Sequence, residues 1–336
     1  MKSLITSAII TLSTACAATD VMPVITPEYR YPVERPISVQ MGVDLIVWAA
    51  QEDGLSFAVS GYDPSGDTLS TRKGQVYYPG FRFDPGFKIN MDIVFPHDGW
   101  DTKLEYTWYH MNQTDQQVNS RTVGMPVNGT WNYDFIDLLP TVDQAHGNWK
   151  ITHEDINWEL GRTCSLSHYF HYRPYIGVKG AWQMQHNYVQ YQDFFGNDVV
   201  LTNLDMTQRF WGVGIRGGTN LTWDLIYCLK IISNTAFSLL SSSFDVSQKY
   251  FQPSKPNQLV YSKVGSEDYT ITPVIEWQLG LQWGSIVDDG SFGMIIELMY
   301  EQQVWWNINH FPRLLTGSNG GALTLQGLTA RFGFNF

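Results

Sequence analysis

Ionisable residues recur at alternate positions within segments whose other positions are apolar. Side chains on one face of a strand could line a pore, where rings of charge tune which ions pass. The same groups could instead pair with one another and fill the interior. The candidates are Asp44, Lys88, Asp92, Lys103, Glu105, Asp155, Glu159, Lys179, Arg216, Lys230, Glu276, Glu297 and Arg331. Acidic groups are in slight excess, which predicts a weak preference for cations.

Catalytic chemistry has one local candidate, the segment His153-Glu154-Asp155. His153 and Asp155 fall on the same face of a strand, where a histidine and a carboxylate could form an acid–base pair. An inward histidine with satisfied hydrogen bonds is the favoured alternative. The sequence contains no Gly-x-Ser-x-Gly motif and no His/Cys cluster with metal-ligand spacing. We therefore expect no enzyme activity, no cofactor and no metal.

The elements that must position these residues are strands, because apolar and polar residues alternate with a period of two. The clearest pair flanks the turn Pro96-His97-Asp98-Gly99. Ten such segments occur, at 37–47, 87–95, 100–108, 155–160, 176–185, 211–216, 227–231, 269–283, 292–301 and 328–336. The links between them alternate between long and short, as in bacterial outer-membrane barrels. The predicted fold is all-β: a transmembrane antiparallel up-and-down barrel of about 10 strands, or 12 if the long links hide hairpins.

The long links are predicted at 50–85, 112–150, 187–206, 241–268 and 302–321, and the short ones at 96–99, 162–173, 218–224 and 284–291. Charged residues lie in the middle of the predicted strands, so the apolar face is the one expected to contact lipid. Strands can cross a membrane only as a closed ring, because an open edge leaves backbone groups unsatisfied. Aromatic residues near strand ends predict two membrane girdles, with Phe95, Trp100, Trp108, Trp211, Trp283, Phe292 and Phe336 as members.

The beginning of the chain predicts export. Residues 1–18 have the charged start, apolar core and small residues of a signal peptide, with cleavage near Ala17/Ala18. The Pro-rich stretch 19–36 is interpreted as a periplasmic N-terminal lead, and 37–336 as the barrel. Two cysteines of an exported chain, Cys164 and Cys228, form a possible disulfide or stay free. We expect localisation in a bacterial cell outer membrane and contact with its lipid.

Charge and the chain's end bear on its partners. The net charge of −11 argues against nucleic acid, whose binding proteins neutralise phosphates with basic residues. The last strand carries Leu328, Phe332, Phe334 and Phe336 on one face. It looks like the terminal recognition strand of bacterial outer-membrane proteins, which implies that 322–336 engages the barrel assembly machinery.

Three segments carry a resemblance to a known family. They are Gly86–Asn90 through the Pro96–Asp101 turn to Tyr106–His110, the strand Arg173–Gly180, and the Phe-rich end of the chain. They resemble the Legionella-type pore-forming major outer membrane protein family, which also occurs in environmental chlamydiae. The resemblance implies a porin-like outer-membrane protein and no catalytic residues.

Barrel size limits the predicted function. About eight strands fill their interior with side chains, whereas open porins have about 16 strands. Ten strands leave at best a narrow channel. The family resemblance favours a narrow pore for ions or small solutes, which the acidic excess would make weakly cation-preferring. The alternatives are a structural or adhesive surface barrel with a plugged lumen and, less favoured, an outer-membrane hydrolase.

Overall fold

The computed structural model describes residues 37–61, 73–96, 99–131, 141–167, 169–195, 198–226, 228–253, 262–287, 292–312 and 320–335. The predicted signal peptide and N-terminal lead, the turn residues His97 and Asp98, and the terminal Phe336 lie outside them. In the described part of the chain, no helix is long and apolar enough to cross a membrane.

Strands dominate the described residues. In chain order they are β1 (Ser38–Glu52), β2 (Ala58–Ser60), β3 (Val76–Tyr77), β4 (Phe83–Val94), β5 (Trp100–Asn119), β6 (Val127–Gly129), β7 (Thr141–Val142), β8 (Gln144–Arg162), β9 (Cys164–Ser165), β10 (Phe170–Phe195), β11 (Asp198–Ile226), β12 (Leu229–Phe251), β13 (Ser262–Val287), β14 (Phe292–Trp305) and β15 (Leu323–Asn335). A single helical turn, α1 (Ser120–Val123), follows β5.

Ten of these strands close into an antiparallel ring in the order β1, β4, β5, β8, β10, β11, β12, β13, β14, β15. The ring closes where β1 pairs with β15, with Leu45 opposite Ala330 and Asp44 opposite Arg331. Every strand of the ring therefore has two hydrogen-bonded neighbours, which is the condition for crossing hydrocarbon with strands. The predicted ten-stranded up-and-down barrel is confirmed. The short strands β3, β2, β6 and β7 form a separate four-stranded sheet.

Apolar side chains cover the outside of the barrel, the reverse of a water-soluble protein. Exposed outward residues include Leu45 at 54%, Ile89 at 51% and Phe332 at 48%. Their inward neighbours Asp44 and Lys88 are 0% and 1% exposed. A surface of this kind is stable against lipid rather than water.

Several strands are longer than the sequence predicted. The predicted links 112–150, 187–206 and 241–268 are largely strand. The predicted short link at 218–224 is wrong, because those residues lie in β11, which runs to Ile226. The strand predicted at 227–231 is the beginning of β12, which starts at Leu229 and continues to Phe251. In the outer part of β12 the pattern is inverted: Phe244 and Val246 face inward, whereas Asp245 and Ser247 are exposed. There the strand projects beyond the lipid into water, so apolar residues are buried inside instead of facing outward.

The predicted girdle residues have different exposures. Trp211 is 50% exposed, and Phe95 and Trp100 at the short-turn end are 39% and 40% exposed. Trp108 and Trp283 are half-buried, and the Trp108 ring stacks on Phe87 with centroids 5.5 Å apart. Phe292 is the first residue of β14, but its side chain and Phe336 fall outside the described residues.

The possible disulfide between Cys164 and Cys228 is not formed. Cys164 is a free, half-buried thiol in β9. Its Sγ lies 3.9 Å from the carbonyl oxygen of Arg162, a local contact within the turn between β8 and β10. Cys164 therefore has a backbone oxygen as its neighbour rather than a second sulfur.

Candidate functional site

The interior of the barrel contains a layer of charged side chains, which we call the charged belt. Its members are Asp44, Lys88, Asp101, Lys103, Glu105, Asp155, Glu159, Arg173, Lys179, Arg216, Glu276, Glu297, Glu301 and Arg331. All project inward because they share the same parity on their strands. The belt has eight carboxylates and six basic groups, so it carries the acidic excess that the sequence indicates.

Arg331 organises the side of the belt where the ring closes. Its Nε and Nη2 donate to the two carboxylate oxygens of Asp44, each at 2.8 Å. The same guanidinium lies 3.3 Å from carboxylate oxygens of Glu105 and Glu297. Asn90 Nδ2 adds a hydrogen bond of 2.9 Å to Asp44. One planar group thus holds carboxylates from three other strands, a role that suits arginine better than lysine.

Lys88 forms the next hub toward the outer end of the barrel. Its Nζ lies 2.6 Å from Glu301 Oε1 and 3.8 Å from Glu105. Glu301 also accepts hydrogen bonds from Thr329 Oγ1 and Gln303 Nε2, each at 3.0 Å. The lysine and its carboxylate are both 1% exposed. Their charges are compensated by direct pairing, as groups withdrawn from water require.

A second network covers the opposite wall. Lys179 Nζ lies 3.2 Å from Asp155 and 2.9 Å from Glu276. Arg216 bridges Glu276 and Glu159, with its Nε 3.2 Å from Glu159 Oε1. Two of these pairs cross the lumen between strands that are not neighbours, since Glu276 on β13 meets Lys179 on β10 and Arg216 on β11.

Arg173 extends this network toward the short-turn end. Its Nε donates to Asp101 Oδ1 at 2.7 Å, and its Nη1 lies 3.2 Å from Glu159 Oε2. Sequence reasoning did not select Arg173 as a site residue, although it shares the inward parity of Lys179 six residues later. Because the predicted strand began at Ile176, that parity was not extended back to it.

Little free space is left inside the belt. A cavity of about 20 Å³ separates the two networks, bordered by Glu105, Glu159, Arg216 and Glu276. That is about the space of one water molecule. A larger cavity of about 210 Å³ lies at the short-turn end and is lined by Asp92, Lys103, Arg173, Glu297 and Arg331, among others. The belt is therefore a constriction with a wider vestibule on that side.

Two predicted site residues lie apart from the centre of the belt. Lys230 has a side chain that is 35% exposed and pairs with Asp224 at 3.1 Å, close to the turn between β11 and β12. Asp92 faces the 210 Å³ vestibule, and its Oδ1 is buried without a hydrogen-bond partner among the described residues. The other predicted members project into the belt itself.

The pair His153 and Asp155 is inaccessible from either end. His153 Nε2 lies 3.0 Å from Asp155 Oδ2, and both side chains are 0% exposed. The imidazole packs edge-on against Trp305 with ring centroids 5.0 Å apart. Asp155 is already bound by Lys179 and by Asn157 Nδ2 at 2.7 Å. The pair is part of the charged network, and neither side chain borders the cavities of about 20 and 210 Å³ described above.

An aromatic and aliphatic layer fills the barrel on the long-link side of the belt, and we call it the outer plug. Its members include Trp48, Phe57, Tyr109, Met111, Trp149, Ile151, Phe210, Phe244, Trp305, Ile308 and Phe311. Two lysines of the charged belt contact aromatic rings of the outer plug. Lys88 Nζ lies 4.8 Å from the centroid of the Trp48 ring, and Lys179 Nζ lies 5.0 Å from the centroid of the Trp305 ring. Contacts of this kind are favourable between a cation and an indole face.

The links between strands contribute to the outer plug. Phe57 precedes β2 of the small sheet, and its backbone oxygen accepts a hydrogen bond of 2.7 Å from Tyr191 Oη. The segment after β14 inserts Ile308, whose backbone oxygen accepts a hydrogen bond of 2.8 Å from Gln208 Nε2. Asn309 Nδ2 donates to the Asp53 oxygen at 2.8 Å. The outer mouth is thus closed by chain folded back into it.

The described residues include no group of three or more His, Cys, Asp or Glu side chains arranged to hold a metal ion. The carboxylates of the belt are instead paired with arginine and lysine side chains.

Comparison with known proteins gives one family match. The family described as Legionella pneumophila major outer membrane protein precursor matches residues 34–336. No protein in the curated set compared with this chain matches it.

Solved structures show distant similarity. The outer membrane protease OmpT from Escherichia coli is 9% identical, with 93% of this chain and 99% of that chain covered and a TM-score of 0.42. A major outer membrane protein from Thermus thermophilus is 12% identical, with 89% and 99% covered and a TM-score of 0.30. A Pseudomonas aeruginosa FadL homologue is 7% identical, with 89% and 90% covered and a TM-score of 0.30. Similarity at this level carries no functional argument.

Proposed function

The chain belongs to the Legionella major outer membrane protein family, and from this premise we propose that it is a porin-like barrel with a narrow, weakly cation-preferring ion pathway. The pathway runs through the charged belt, and the outer plug closes it in the conformation described. Ions or small solutes are the cargo, and outer-membrane lipid surrounds the barrel.

The charged belt is the observation that supports this proposal most directly. Ionisable side chains from nine of the ten barrel strands meet in one layer, with eight carboxylates against six basic groups. A water-filled passage lined in this way would favour cations slightly, because fixed negative charge attracts them. In this proposal the passage is narrowest at the small cavity inside the belt.

The outer plug supports closure. Trp48 and Trp305 are both 0% exposed, and Ile308 and Phe311 from the link after β14 are equally buried. An apolar layer without water does not conduct ions, because a bare charge there has no solvation. Opening would require the inserted links to move away from the strands.

The test is conductance of the purified barrel in planar lipid bilayers, with Trp48→Ala as the opening variant. Trp48 contacts Tyr109 with ring centroids 5.8 Å apart and caps Lys88, so its removal leaves a void between plug and belt. We expect rare, small steps from the wild type and more frequent steps from the variant. The control is Trp211→Ala, which removes an outward indole and should behave as the wild type.

A surface barrel with a permanently plugged lumen is the second candidate. It is favoured by the pairing of the belt charges and by the small sheet that caps the barrel. This candidate predicts that neither the wild type nor Trp48→Ala shows conductance steps, although both barrels are folded. A wide, constantly open wild-type channel would contradict both candidates.

We also propose that the barrel has no enzyme activity, since the His153–Asp155 pair is enclosed by protein. Hydrolysis of peptides or phospholipids by the purified protein, abolished by His153→Ala, would overturn that.

For assembly, we infer that β15 is the segment recognised by the barrel assembly machinery. Its outward residues Leu328, Phe332 and Phe334 are 54%, 48% and 41% exposed.

A further inference from the structure

A cavity of about 360 Å³ lies at the outer end of the barrel, beside the outer plug. Its floor is made by Ala50, Leu55 and Trp149, which are at most 3% exposed. Its rim carries Tyr77 and the exposed residues Tyr78 and Phe81. The cavity has the size and mixed polarity of a small-molecule site, and neither the charged belt nor the proposed ion pathway uses it.

Glu52 is the acidic side chain that borders this cavity. It is the last residue of β1, is 3% exposed and borders the cavity. Both of its carboxylate oxygens are buried without a hydrogen bond of good geometry among the described residues, and Gln185 is the polar side chain that interacts with them. The belt carboxylates described above have basic partners, so Glu52 differs from them. A buried carboxylate without a cationic partner is costly, and that cost falls when a ligand supplies the positive charge.

The position of Glu52 is outside the hydrocarbon. The outward residues level with it are polar, since Gln51 precedes it and Thr324 lies opposite Gln51 on β15. Burial raises the pKa of Glu52 to about 8, a value that includes a lowering by the Gln185 side chain and a smaller rise caused by Asp53. A cation bound beside Glu52 would lower this pKa and hold the group as the carboxylate. The site is thus short of positive charge.

We propose that this cavity binds a small organic ammonium ion, with the ammonium group against Glu52 and the apolar part among the aromatic rings. Tyr77 and Trp149 offer aromatic faces, which attract cations. An anion would meet the Glu52 carboxylate, and none of the described residues that border the cavity is Lys or Arg. The nearby Arg82 is engaged by Asp84 at 2.8 Å.

The test uses benzylammonium as the probe and benzyl alcohol as its neutral analogue of similar shape. Binding to the full-length barrel in detergent is followed by isothermal titration calorimetry. We expect benzylammonium to bind, and Glu52→Gln to weaken its affinity at least 10-fold. Benzyl alcohol should bind weakly to both proteins. Asp245→Asn, which removes an equal charge from an exposed outward position, should change the affinity less than twofold.

A second variant tests the cavity without changing charge. Ala50→Leu adds a larger side chain to the floor and should also reduce benzylammonium binding at least 10-fold. Retained binding in Ala50→Leu or in Glu52→Gln would overturn the proposal. Equal affinity of the wild type for benzyl alcohol and benzylammonium would also overturn it. The same holds for no binding to the wild type, which is expected if Gln185 already satisfies Glu52. Because no conductance is measured, failure here leaves the proposed ion pathway untouched.

Discussion

Each belt residue is held by partners on other strands, and this pairing is what allows so many charges in so small a space. Arg331 contacts Asp44, Glu105 and Glu297, and Lys179 contacts Asp155 and Glu276. Removing one partner of a buried pair leaves an uncompensated charge, which costs far more than the pair contributes. In the proposed pore, the same residues would therefore set both the ion preference and the stability of the barrel.

Stability should depend strongly on Arg331. Replacing it with Met leaves three buried carboxylates short of a cation, and we expect a loss of about 3–5 kcal/mol in unfolding free energy. The measurement is urea unfolding of the barrel in lipid vesicles, followed by tryptophan fluorescence. Lys230→Met is the control, because that lysine forms a half-exposed pair worth about 0–1 kcal/mol. Equal losses in the two variants would contradict the belt's structural role.

Ion preference should depend on Glu276 and Glu297. Replacing both with Gln removes two negative charges from the belt, so the reversal potential under a KCl gradient should move toward that of chloride. The matched control is Asp245→Asn with Glu267→Gln, which removes two exposed charges that face each other on β12 and β13. An unchanged reversal potential in the first variant would exclude these carboxylates from the pathway.

At the residue scale, the sequence predicted the inward direction of most of the belt but not its contacts. Parity fixes the face on which Asp44 and Lys179 lie, since side chains alternate across a strand. Which carboxylate each base meets depends on register across strands distant in sequence, as with Asp44 and Arg331. That Glu52 lacks a basic partner could not be predicted for the same reason.

Each long strand has a membrane-spanning part and an outer part that lies in water. The apolar residues change from the outward to the inward face between these two parts. Near the short-turn end, outward residues are apolar and inward ones are charged, as at Leu45 and Asp44. Toward the outer end of β12 the inward residues Phe244 and Val246 are apolar, while Asp245 is exposed. Polar and apolar residues still alternate there, but the apolar residues are the ones that face inward. The sequence pattern therefore predicts links where the structure has strands. The inward series Asp44, Ile46, Trp48 shows the same transition and could have indicated the outer plug.

Ring closure can be tested at the element scale with a cross-strand disulfide. Leu45 lies opposite Ala330 on the terminal strands, and facing residues of antiparallel strands have Cα atoms about 4.5–5.5 Å apart, within disulfide reach. Leu45→Cys with Ala330→Cys should therefore form a bridge that peptide mass spectrometry identifies. The control pairs Leu45→Cys with Ile215→Cys, an outward residue on β11, and should not link. Absence of the first bridge would contradict the register.

The molecule as a whole combines an apolar exterior, a charged interior layer and an apolar cap. This order follows from its surroundings: lipid meets the middle of the strands, and water meets their outer ends. The ten-strand ring, the inward charges and the family could all be predicted from the sequence. The closure of the lumen could not, because it depends on links that fold back over long sequence distances, as when Asn309 binds the Asp53 backbone.

Photolabelling from within the bilayer tests most directly which side of the sheet meets hydrocarbon. The unmodified barrel is reconstituted with a phospholipid whose acyl chain carries a diazirine, irradiated, and mapped by peptide mass spectrometry. Labels are expected on outward residues such as Leu45, Leu279 and Phe332, and none on the inward Trp48, Tyr109 and Trp305. Labels on the inward set, with the outward set modified only by a water-soluble reagent, would contradict the assignment of the outer face to lipid.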